Sequence, residues 1–445
     1  MKYVIGIDDH DSYKFGCTTH FSIILTSYLY KNHSTILLDL PYLVRLNPNV
    51  PWKTRGNASI KLVVDFNGTK KELADIIFSY SVKYAKDVSL ALEHGRKPGI
   101  AIIEYDKYKT LFEELYNFYT KAVSDIVPID YAKNFAEKND IEIRGDRGII
   151  GSIAALGMSG DYTYELITYR KKENWLKKRM INKDSVKKVD EETFPLTFAN
   201  YDYINDVPLI TPHGSDPILY GIRGTSIEHL LKAMKLIESD EDIDFFAVFK
   251  TNQSTDVHFQ KIGNYFYQQT RKVVKIKNVR ILEGGDVIIR TTDDDVLFVY
   301  KETGELNSAA KLLKEGDEIV AYGAIKPSIA YGKIIELERF EILKLYDTQL
   351  VNPKCPICGG STKSLGKNKG YKCKKCKYII NTHNKSIKNI MRNLSLGMYQ
   401  TRAYRHLTKP IFLELENNNQ SFYEEKKFLE TFRSELYKIN YYYII

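Results

Sequence analysis

The chain has 445 residues, enough for about three domains at roughly 150 residues each. Hydrophobic residues make up 43% and charged residues 27%, so it can bury sizeable cores, which excludes a disordered or fibrous protein. No run approaches the roughly 18 apolar residues of a membrane span. Acidic residues also follow the first methionine too closely for a signal peptide, so we expect a cytoplasmic protein with no membrane part.

The first elements in chain order are a strand, a loop and a helix. Residues 3–7 read as a buried strand, a loop with three aspartates follows, and residues 21–29 are apolar at helical spacing. The next predicted elements are a strand at 35–40, a strand at 58–64 and a helix at 70–85. This alternation predicts an α/β domain.

The middle of the chain has two further patterns. The first predicts, in order, a helix at 147–156, strands at 163–170 and 218–222, a helix at 226–237 and a strand at 245–250. That order suggests a ferredoxin-like α+β module. From 273 to 343, short strands recur with glycine-containing turns, which is typical of a small barrel; an OB-fold suits a nucleic-acid binder, although other small barrels fit the pattern. The tail from 417 to 445 is predicted to be a helix followed by a strand or disorder.

Four of the five cysteines form two CxxC pairs. They are Cys355, Cys358, Cys373 and Cys376. Two such pairs allow four thiolates to bind one Zn²⁺ tetrahedrally, and four thiolates leave no open position for a reacting water. The sequence therefore predicts a structural zinc ribbon. A chance cluster of cysteines and a redox CxxC are the weaker alternatives.

The same region is strongly basic. Between Asp347 and Glu414 there is no acidic residue, whereas lysines and arginines recur with interleaved tyrosines. Basic side chains neutralise phosphates and aromatic rings stack on bases, so we expect nucleic-acid contact here. The candidate RNA-binding residues are Lys374, Lys375, Arg402, Arg405 and Lys409. The alternatives are an ordinary solvated lysine-rich surface and, more weakly, a membrane surface.

The loop after the first strand has the residue types of a nucleotide site. Asp8, Asp9 and Asp11 repel one another unless a cation lies among them, and Mg²⁺ prefers a few carboxylates together with phosphate oxygens. Gly16, Thr18 and Thr19 come at the start of the next helix, where free N–H groups favour phosphate. The competing interpretation is an Asx turn followed by a helix cap. No GxxxxGK[ST] motif occurs, which excludes a P-loop.

Several motifs along the chain resemble one family. They are Gly6-Ile7-Asp8-Asp9-His10-Asp11-Ser12 with Gly16-Cys17-Thr18-Thr19, Lys53-Thr54-Arg55-Gly56-Asn57, Arg147-Gly148-Ile149-Ile150-Gly151, Asp161-Tyr162-Thr163-Tyr164-Glu165-Leu166, Pro212-His213-Gly214-Ser215-Asp216-Pro217, Gly221-Ile222-Arg223-Gly224 and Arg405-His406-Leu407-Thr408-Lys409-Pro410. Together with the zinc pairs, they resemble the archaeal tRNA-Ile 2-agmatinylcytidine synthetases (TiaS). The resemblance spans almost the whole chain.

The resemblance implies a multidomain α/β and α+β fold. Its expected parts are a kinase-like catalytic domain at 1–132, a ferredoxin-like domain at 133–260, an OB-fold at 268–346, a zinc ribbon at 350–382 and a basic C-terminal segment and tail at 383–445. The implied reaction uses ATP to activate the 2-carbonyl oxygen of the wobble cytidine in a CAU anticodon of tRNA-Ile. Agmatine then displaces the activated group to form 2-agmatinylcytidine.

The resemblance also implies roles for single residues. Asp8, Asp9 and Asp11 would bind Mg²⁺ and phosphates, and Thr18 would be autophosphorylated. His10 and His20 depart from the family, which usually has a threonine and an aromatic residue there, and either could tune metal affinity.

Other candidates follow from the chemistry of the two small substrates. Arg55 and Arg223 could clamp ATP phosphates next to Gly16 and Thr19, with surface ion pairing as the alternative. The guanidinium of agmatine needs acceptors, for which the candidates are Asp161 and Asp216. Its amine must be unprotonated to attack, and His213 is the candidate base at the agmatine site. Capping roles for the aspartates and a structural role for the histidine are the alternatives.

Two other functions compete with this ligase. In one, the barrel and the ribbon form a non-catalytic nucleic-acid-binding protein and the acidic loop is only a turn. In the other, the chain is a phosphotransferase that acts on another RNA or protein and does not need agmatine.

Overall fold

The computed structural model describes residues 1–53, 56–212, 214–401, 405–415 and 419–439, with the backbone alone at 419–421. The chain divides into two compact units, one of residues 1–270 and 403–445 and the other of residues 271–402. The second unit is therefore an insertion in the sequence of the first. No helix in the described ranges is both long enough and apolar enough to pass through a bilayer.

The first part of unit 1 begins with the predicted strand, loop and helix. Its elements are β1 (Lys2–Asp8), α1 (Thr18–His33), β2 (Ile36–Leu37), β3 (Tyr42–Arg45), β4 (Ala58–Asp65), α2 (Lys70–Asp87), β5 (Gly99–Glu104), α3 (Tyr105–Thr110), α4 (Phe112–Ser124), α5 (Ile129–Lys138) and β6 (Glu142–Gly145). The strand predicted at 35–40 is shortened to β2, because the chain bends at Asp39 ahead of Pro41. The other predicted elements of this part are confirmed with longer bounds.

The second part of unit 1 confirms each of the five elements predicted between 147 and 250, with bounds that differ by a few residues. It contains α6 (Ile149–Leu156), β7 (Thr163–Arg170), α7 (Lys183–Thr193), β8 (Thr197–Phe198), β9 (Tyr201–Asp202), β10 (Val207–Pro208), β11 (Ile218–Gly224), α8 (Ile227–Leu236) and β12 (Ile243–Thr251). The predicted start of α8 is correct because the Ser226 hydroxyl accepts a hydrogen bond from the backbone of His229.

Both parts of unit 1 share one continuous sheet. Among the described residues its strand order is β6-β5-β1-β4-β3-β12-β7-β11-β8, with β2 beside β4. The strands of each part pair antiparallel, and the parallel pair of β3 with β12 joins the two parts. Alternating strands and helices are typical of parallel sheets, but β1 is antiparallel to both of its neighbours, β4 and β5. Strand β6 (Glu142–Gly145) pairs with β5, so the first part of the sheet includes residues beyond 132. The domain boundary at residue 132 stays a prediction.

Alternating side chains of β1 supply two separate cores. Tyr3, Ile5 and Ile7 belong to the core beneath α1 and α2. Val4 belongs to the core formed with α4, α5 and α6 on the opposite face. Since successive side chains of a strand point to opposite faces, the side chain of Asp8 lies on the α6 face.

The backbone of α6 packs directly against β1. A Cβ atom on Gly6 would lie 1.9 Å from the carbonyl oxygen of Ser152, and one on Gly151 would lie 2.0 Å from Oδ2 of Asp8. Only glycine permits such an approach. The contact places the N-terminal half of α6 beside the end of β1.

Unit 2 begins with a five-stranded closed barrel. In chain order the unit contains β13 (Gln269–Ile281), β14 (Val287–Thr291), β15 (Val296–Val299), α9 (Glu305–Ala310), β16 (Glu318–Ser328), β17 (Gly332–Lys344), β18 (Thr348–Val351), β19 (Thr362–Ser364), β20 (Tyr371–Cys373), β21 (Ile379–Ile380), β22 (Ser386–Asn389) and β23 (Gly397–Gln400). Strands β13 to β17 form the barrel, which closes where β15 pairs with β17. A helix between the third and fourth strands, here α9, fits the predicted OB-fold.

The zinc ribbon follows the barrel. Strands β19, β20 and β21 form its three-stranded sheet, and β18 pairs with β22. Beyond the ribbon, Arg392 donates two hydrogen bonds of 2.7 and 2.9 Å to the buried carboxylate of Asp317 in the barrel. Burial favours the neutral carboxyl, but the Arg392 guanidinium and two backbone N–H groups lower the pKa of Asp317. This bidentate pair holds the segment that follows β22 against the barrel.

The predicted tail helix is present as α10 (Asn419–Leu436), and it belongs to unit 1. The Glu424 carboxylate accepts the backbone N–H of Ile227 at 2.8 Å and so caps α8. The buried Glu425 accepts hydrogen bonds from the hydroxyls of Tyr162 and Tyr164 at 2.9 and 2.6 Å and lies 2.8 Å from the Lys250 ammonium. Two consecutive glutamates thus anchor α10 to the sheet.

We expect Glu425→Gln to destabilise unit 1 by about 1–3 kcal/mol, because the buried Lys250 loses one of its two carboxylate partners and keeps only Asp39 at 3.0 Å. Both tryptophans of the chain, Trp52 and Trp175, lie in unit 1. Tryptophan fluorescence during urea unfolding therefore measures this unit. The matched control is Glu430→Gln, an exposed position on the same helix. Equal midpoints for the two variants would contradict the anchoring role.

Candidate active site

A cavity of about 1020 Å³ lies in unit 1 at the end of β1. The acidic loop, the start of α1 and the start of α6 line one part of it. Residues of β3, β7 and β11 line another, together with His406 from the chain that follows unit 2. The cavity therefore lies where the two parts of the sheet meet.

The carboxylate of Asp8 is enclosed between β1 and α6, next to Gly151. Burial, followed by the negative charges of Asp9 and Asp11, raises the pKa of Asp8 well above its usual range. A bound cation would reverse this effect. The partly buried carboxylate, which lines the cavity, therefore fits a site for a hard cation.

Asp9 and Asp11 also line the cavity, but Asp9 is already bound by protein groups. Its backbone has a φ of +65°, and its Oδ2 accepts hydrogen bonds from the Lys97 backbone at 2.8 Å and from Arg147 at 3.2 Å. Within the described ranges, the four cysteines are the potential metal ligands that converge in a group of three or more. The three aspartates therefore do not converge on one point in this structure.

The start of α1 lies beside the acidic loop, as predicted. Thr18 is the first residue of α1 and lines the cavity, and its Oγ1 accepts a hydrogen bond of 3.4 Å from the backbone of His10. Thr19 lines the cavity too, 3.0 Å from the sulfur of Cys17. Gly16 does not line the cavity; its φ of +71° shapes the loop. The first turn of α1 thus faces the cavity with two hydroxyl side chains and no acidic residue.

His10 and His20 are not among the residues that line the cavity, so the predicted effect on metal affinity would have to be indirect and stays a prediction. Both are fully buried. His10 stacks on Phe21 with 4.1 Å between the ring centroids, and His20 Nδ1 lies 3.0 Å from the hydroxyl of Tyr84. Burial lowers the pKa of each to about 3, so both are neutral core residues at pH 7.

A cationic wall, which we define as Arg45, Arg223 and His406, faces the cavity. Arg45 Nη2 lies 3.5 Å from Oε2 of Glu165. Arg223 Nη2 lies 2.8 Å from His406 Nδ1. Burial, followed by the charges of Arg45 and Arg223, lowers the pKa of His406 well below its usual range. Two charged guanidiniums therefore share one carboxylate and a neutral imidazole.

The candidate agmatine residues lie in different surroundings. Asp216 lines the cavity, but its carboxylate is 2.9 Å from the guanidinium of Arg179, which also bonds backbone carbonyls of the same loop. Asp161 is exposed ahead of β7 and is not among the residues that line the cavity. The structure therefore does not bring Asp161 to the site. His213 and Arg55 lie outside the described residues.

The four predicted zinc ligands come together in the ribbon. Their sulfur atoms lie within 4.8 Å of one another, and both the Cys355–Cys376 and Cys358–Cys373 pairs are 3.5 Å apart. Zn–S bonds of about 2.3 Å place tetrahedral sulfurs about 3.8 Å apart. The thiolates therefore fit a zinc ion with no position left for substrate.

The candidate RNA-binding residues fall in both units. Lys374 and Lys375 are exposed beside the second CxxC pair in unit 2. Arg405 and Lys409 are only partly exposed in unit 1, where the Lys409 backbone donates to Asp256. Arg402 lies outside the described residues. The single basic stretch of the sequence is thus divided between two folding units.

Arg45, Glu165 and His406 were not predicted as site residues. Glu165 and His406 lie in motifs that support the family resemblance, and that was the available signal. Arg45 lies outside those motifs, at the end of the short strand β3, where no local pattern marks a functional residue. Only the folded sheet brings the three together.

Comparison with known proteins gives three matching family models. The TiaS TCKD domain matches residues 4–146, the TiaS FLD domain matches residues 146–258, and the TiaS C-terminal zinc ribbon domain matches residues 352–394.

Relatives match over nearly the full length. A TiaS protein of Saccharolobus islandicus (strain L.S.2.15 / Lassen #1), named as a tRNA-Ile 2-agmatinylcytidine synthetase, is 87% identical over 99% of this chain and 100% of its own. The crystal structure of a complex of TiaS with its isoleucine tRNA and ATP matches with a TM-score of 0.81 and 30% identity over 95% of this chain and 100% of that chain. A complex of TiaS with the same tRNA, AMPCPP and agmatine matches with a TM-score of 0.76 and 29% identity, again over 95% and 100%.

We expect Gly151→Ala to weaken binding of Mg²⁺–ATP by about tenfold or more, because the new methyl would overlap the Asp8 carboxylate. Isothermal titration with Mg²⁺–ATP measures the change. Gly284→Ala is the control, since no atom lies within 4 Å of the position that its Cβ would take. If Gly151→Ala and the control bound nucleotide equally well, Asp8 would have no part in the site.

Proposed function

Since the chain belongs to the TiaS family, the tRNA-Ile 2-agmatinylcytidine synthetases, we propose that it joins agmatine to the wobble cytidine of the CAU anticodon of tRNA-Ile in an ATP-dependent reaction. The product is 2-agmatinylcytidine. The observation that supports this most directly is the cavity in which an acidic loop and a helix N-terminus meet a cationic wall. A non-catalytic RNA-binding protein would not need to enclose a carboxylate such as Asp8 beside an open cavity.

The acidic end of the cavity is the proposed position of the Mg²⁺–triphosphate. Mg²⁺ usually takes one or two protein carboxylates together with phosphate oxygens. Asp8 and Asp11 suffice for that, while Asp9 positions Arg147 and the Lys97 backbone. The N-terminus of α1 and Arg223 would contact the phosphates. Bound there, Mg²⁺ would neutralise charge on the phosphates as they react.

Two steps follow from the chemistry of cytidine. The 2-carbonyl oxygen is a poor leaving group, so ATP first transfers to it either a phosphoryl group, with release of ADP, or an adenylyl group, with release of pyrophosphate. The unprotonated amine of agmatine then attacks C2 and loses a proton to a base or to water as the C–N bond forms. The C2–O bond breaks, and the oxygen leaves as phosphate or as AMP. Thr18 faces the same end of the cavity, which supports its proposed autophosphorylation.

The base must leave the anticodon stack to reach this cavity, because a stacked base cannot be enclosed. Lys374 and Lys375 on the ribbon and Arg405 and Lys409 in unit 1 are the proposed contacts with tRNA phosphates. For agmatine, we retain Asp216 as a candidate and give up Asp161. The expected cytoplasmic location also stays a proposal.

The decisive experiment is to incubate the full chain with ATP, agmatine and a CAU-anticodon tRNA-Ile transcript, and then to analyse the nucleosides by mass spectrometry. We expect agmatinylated cytidine at the wobble position, and none when ATP or agmatine is omitted. ATP consumption without this product would favour a different phosphotransferase. RNA binding without any ATP consumption would favour the non-catalytic alternative.

Asp8→Asn should reduce product formation at least about 100-fold, since it removes the charge that would hold the cation. Its tRNA affinity should stay within about twofold of wild type, because the proposed phosphate contacts that give most of the affinity lie on the ribbon and at Arg405 and Lys409. Asp130→Asn, an exposed position on α5, is the control. Product formation at the wild-type rate by Asp8→Asn would contradict the Mg²⁺ assignment.

Removing zinc with a chelator should weaken tRNA binding by about tenfold or more, because four thiolates without their metal no longer hold the ribbon. ATP binding in unit 1 should not change, which provides the internal control. Filter binding of tRNA and titration with ATP measure the two quantities on one sample. Unchanged tRNA affinity at zero zinc content would exclude the ribbon from RNA binding.

A further inference from the structure

The cationic wall contains a hydrogen-bonding conflict at His406. Its Nδ1 lies 2.8 Å from Arg223 Nη2, which can only donate, and 2.8 Å from Gln253 Oε1, which can only accept. A single ring nitrogen has either a proton or a lone pair, so it satisfies one of these neighbours and not both.

The hydrogen bond between Gln253 and Glu165 determines whether His406 Nδ1 bonds to Arg223 or to Gln253. The Gln253 amide nitrogen donates to Glu165 Oε2 at 2.5 Å. Reversing the amide would place two oxygens at that distance, which is strongly unfavourable. Nδ1–H of His406 therefore donates to Gln253, and the Arg223 N–H that points at Nδ1 has no acceptor there.

Arg45 has a second unused donor. Its Nε is buried with no hydrogen-bond acceptor among the described residues. Its Nη1 and His406 Nε2 both lie above Gly56, at 2.5 and 3.2 Å from where a Cβ would be. Arg45 and Arg223 together have two positive charges, and the neighbouring Glu165 offsets only one of them. The wall thus presents excess positive charge to the cavity, which Arg45 and Arg223 both line.

We propose that Arg45, Arg223 and His406 form a phosphate-binding subsite on the wall of the cavity. Arg45 and Arg223 bind the phosphate oxygens. His406, which Gln253 and Glu165 fix in one tautomer, contacts the Arg223 guanidinium and positions it. The proposal rests on the proposed function, which brings two phosphate sources to this cavity. These are the triphosphate of the nucleotide and the phosphodiester next to the displaced cytidine.

Three probes distinguish the sources by equilibrium binding: Mg²⁺–ATP, an anticodon stem-loop RNA and adenosine, which has no phosphate. Arg45→Gln and Arg223→Gln should each lose about tenfold or more in affinity for ATP or for the RNA. The probe that is weakened identifies the source. Adenosine affinity should stay within about twofold of wild type, and so should all affinities of Lys109→Gln, an exposed control on α3.

The positioning role of His406 has a separate test. His406→Asn keeps an N–H group that can donate to Gln253. It should retain most of the affinity for the probe whose binding the arginine substitutions weaken, whereas His406→Ala should lose that affinity. Thermal unfolding of every variant shows whether unit 1 remains folded, and Arg45→Lys provides a variant that keeps the charge if Arg45→Gln does not fold.

If folded Arg45→Gln and Arg223→Gln bound both ATP and the RNA with wild-type affinity, the subsite would be overturned. It would also be overturned if these variants lost as much affinity for adenosine as for the phosphate-containing probe. Equal affinities of His406→Asn and His406→Ala would overturn the positioning role. A wild-type chain that binds ATP and RNA but forms no agmatinylated cytidine would disprove the proposed function and leave the subsite testable.

Discussion

The direct contact between the backbones of α6 and β1 is the constraint on which the site depends. Because glycine stands at Gly6 and Gly151, no side chain separates the helix from the strand. The Asp8 carboxylate is consequently enclosed at the end of β1, where burial raises its pKa. A larger residue at either glycine would separate the two elements and expose the carboxylate to water.

The cavity has charges of opposite sign on separate elements. The acidic loop follows β1, whereas Arg45 ends β3 and Arg223 lies in β11. A polyphosphate with its cation has the complementary arrangement, since the metal seeks carboxylates and the remaining oxygens seek guanidiniums. The parallel pairing of β3 with β12 is what places these strands in one sheet.

Features with local sequence signals could be predicted from the sequence. The loop between β1 and α1 and the two CxxC pairs each lie within a few tens of residues, and the structure gathers them as expected. The resemblance to a family gave the domain types as well. The antiparallel pairing of β1 could not be predicted, because alternating strands and helices do not specify strand direction. The meeting of Arg45, Glu165 and His406 depends on contacts between positions more than 100 residues apart, which no local pattern encodes.

Unit 1 is built from the two ends of the chain, with the barrel and ribbon inserted between them. His406 and the α10 glutamates reach the sheet only after residues 271–402 have been made. On the ribosome, the OB-fold and ribbon can therefore fold before the cavity is complete. A chain interrupted after the ribbon would lack His406 and the helix that anchors the sheet, so translation that stops early yields no finished cavity.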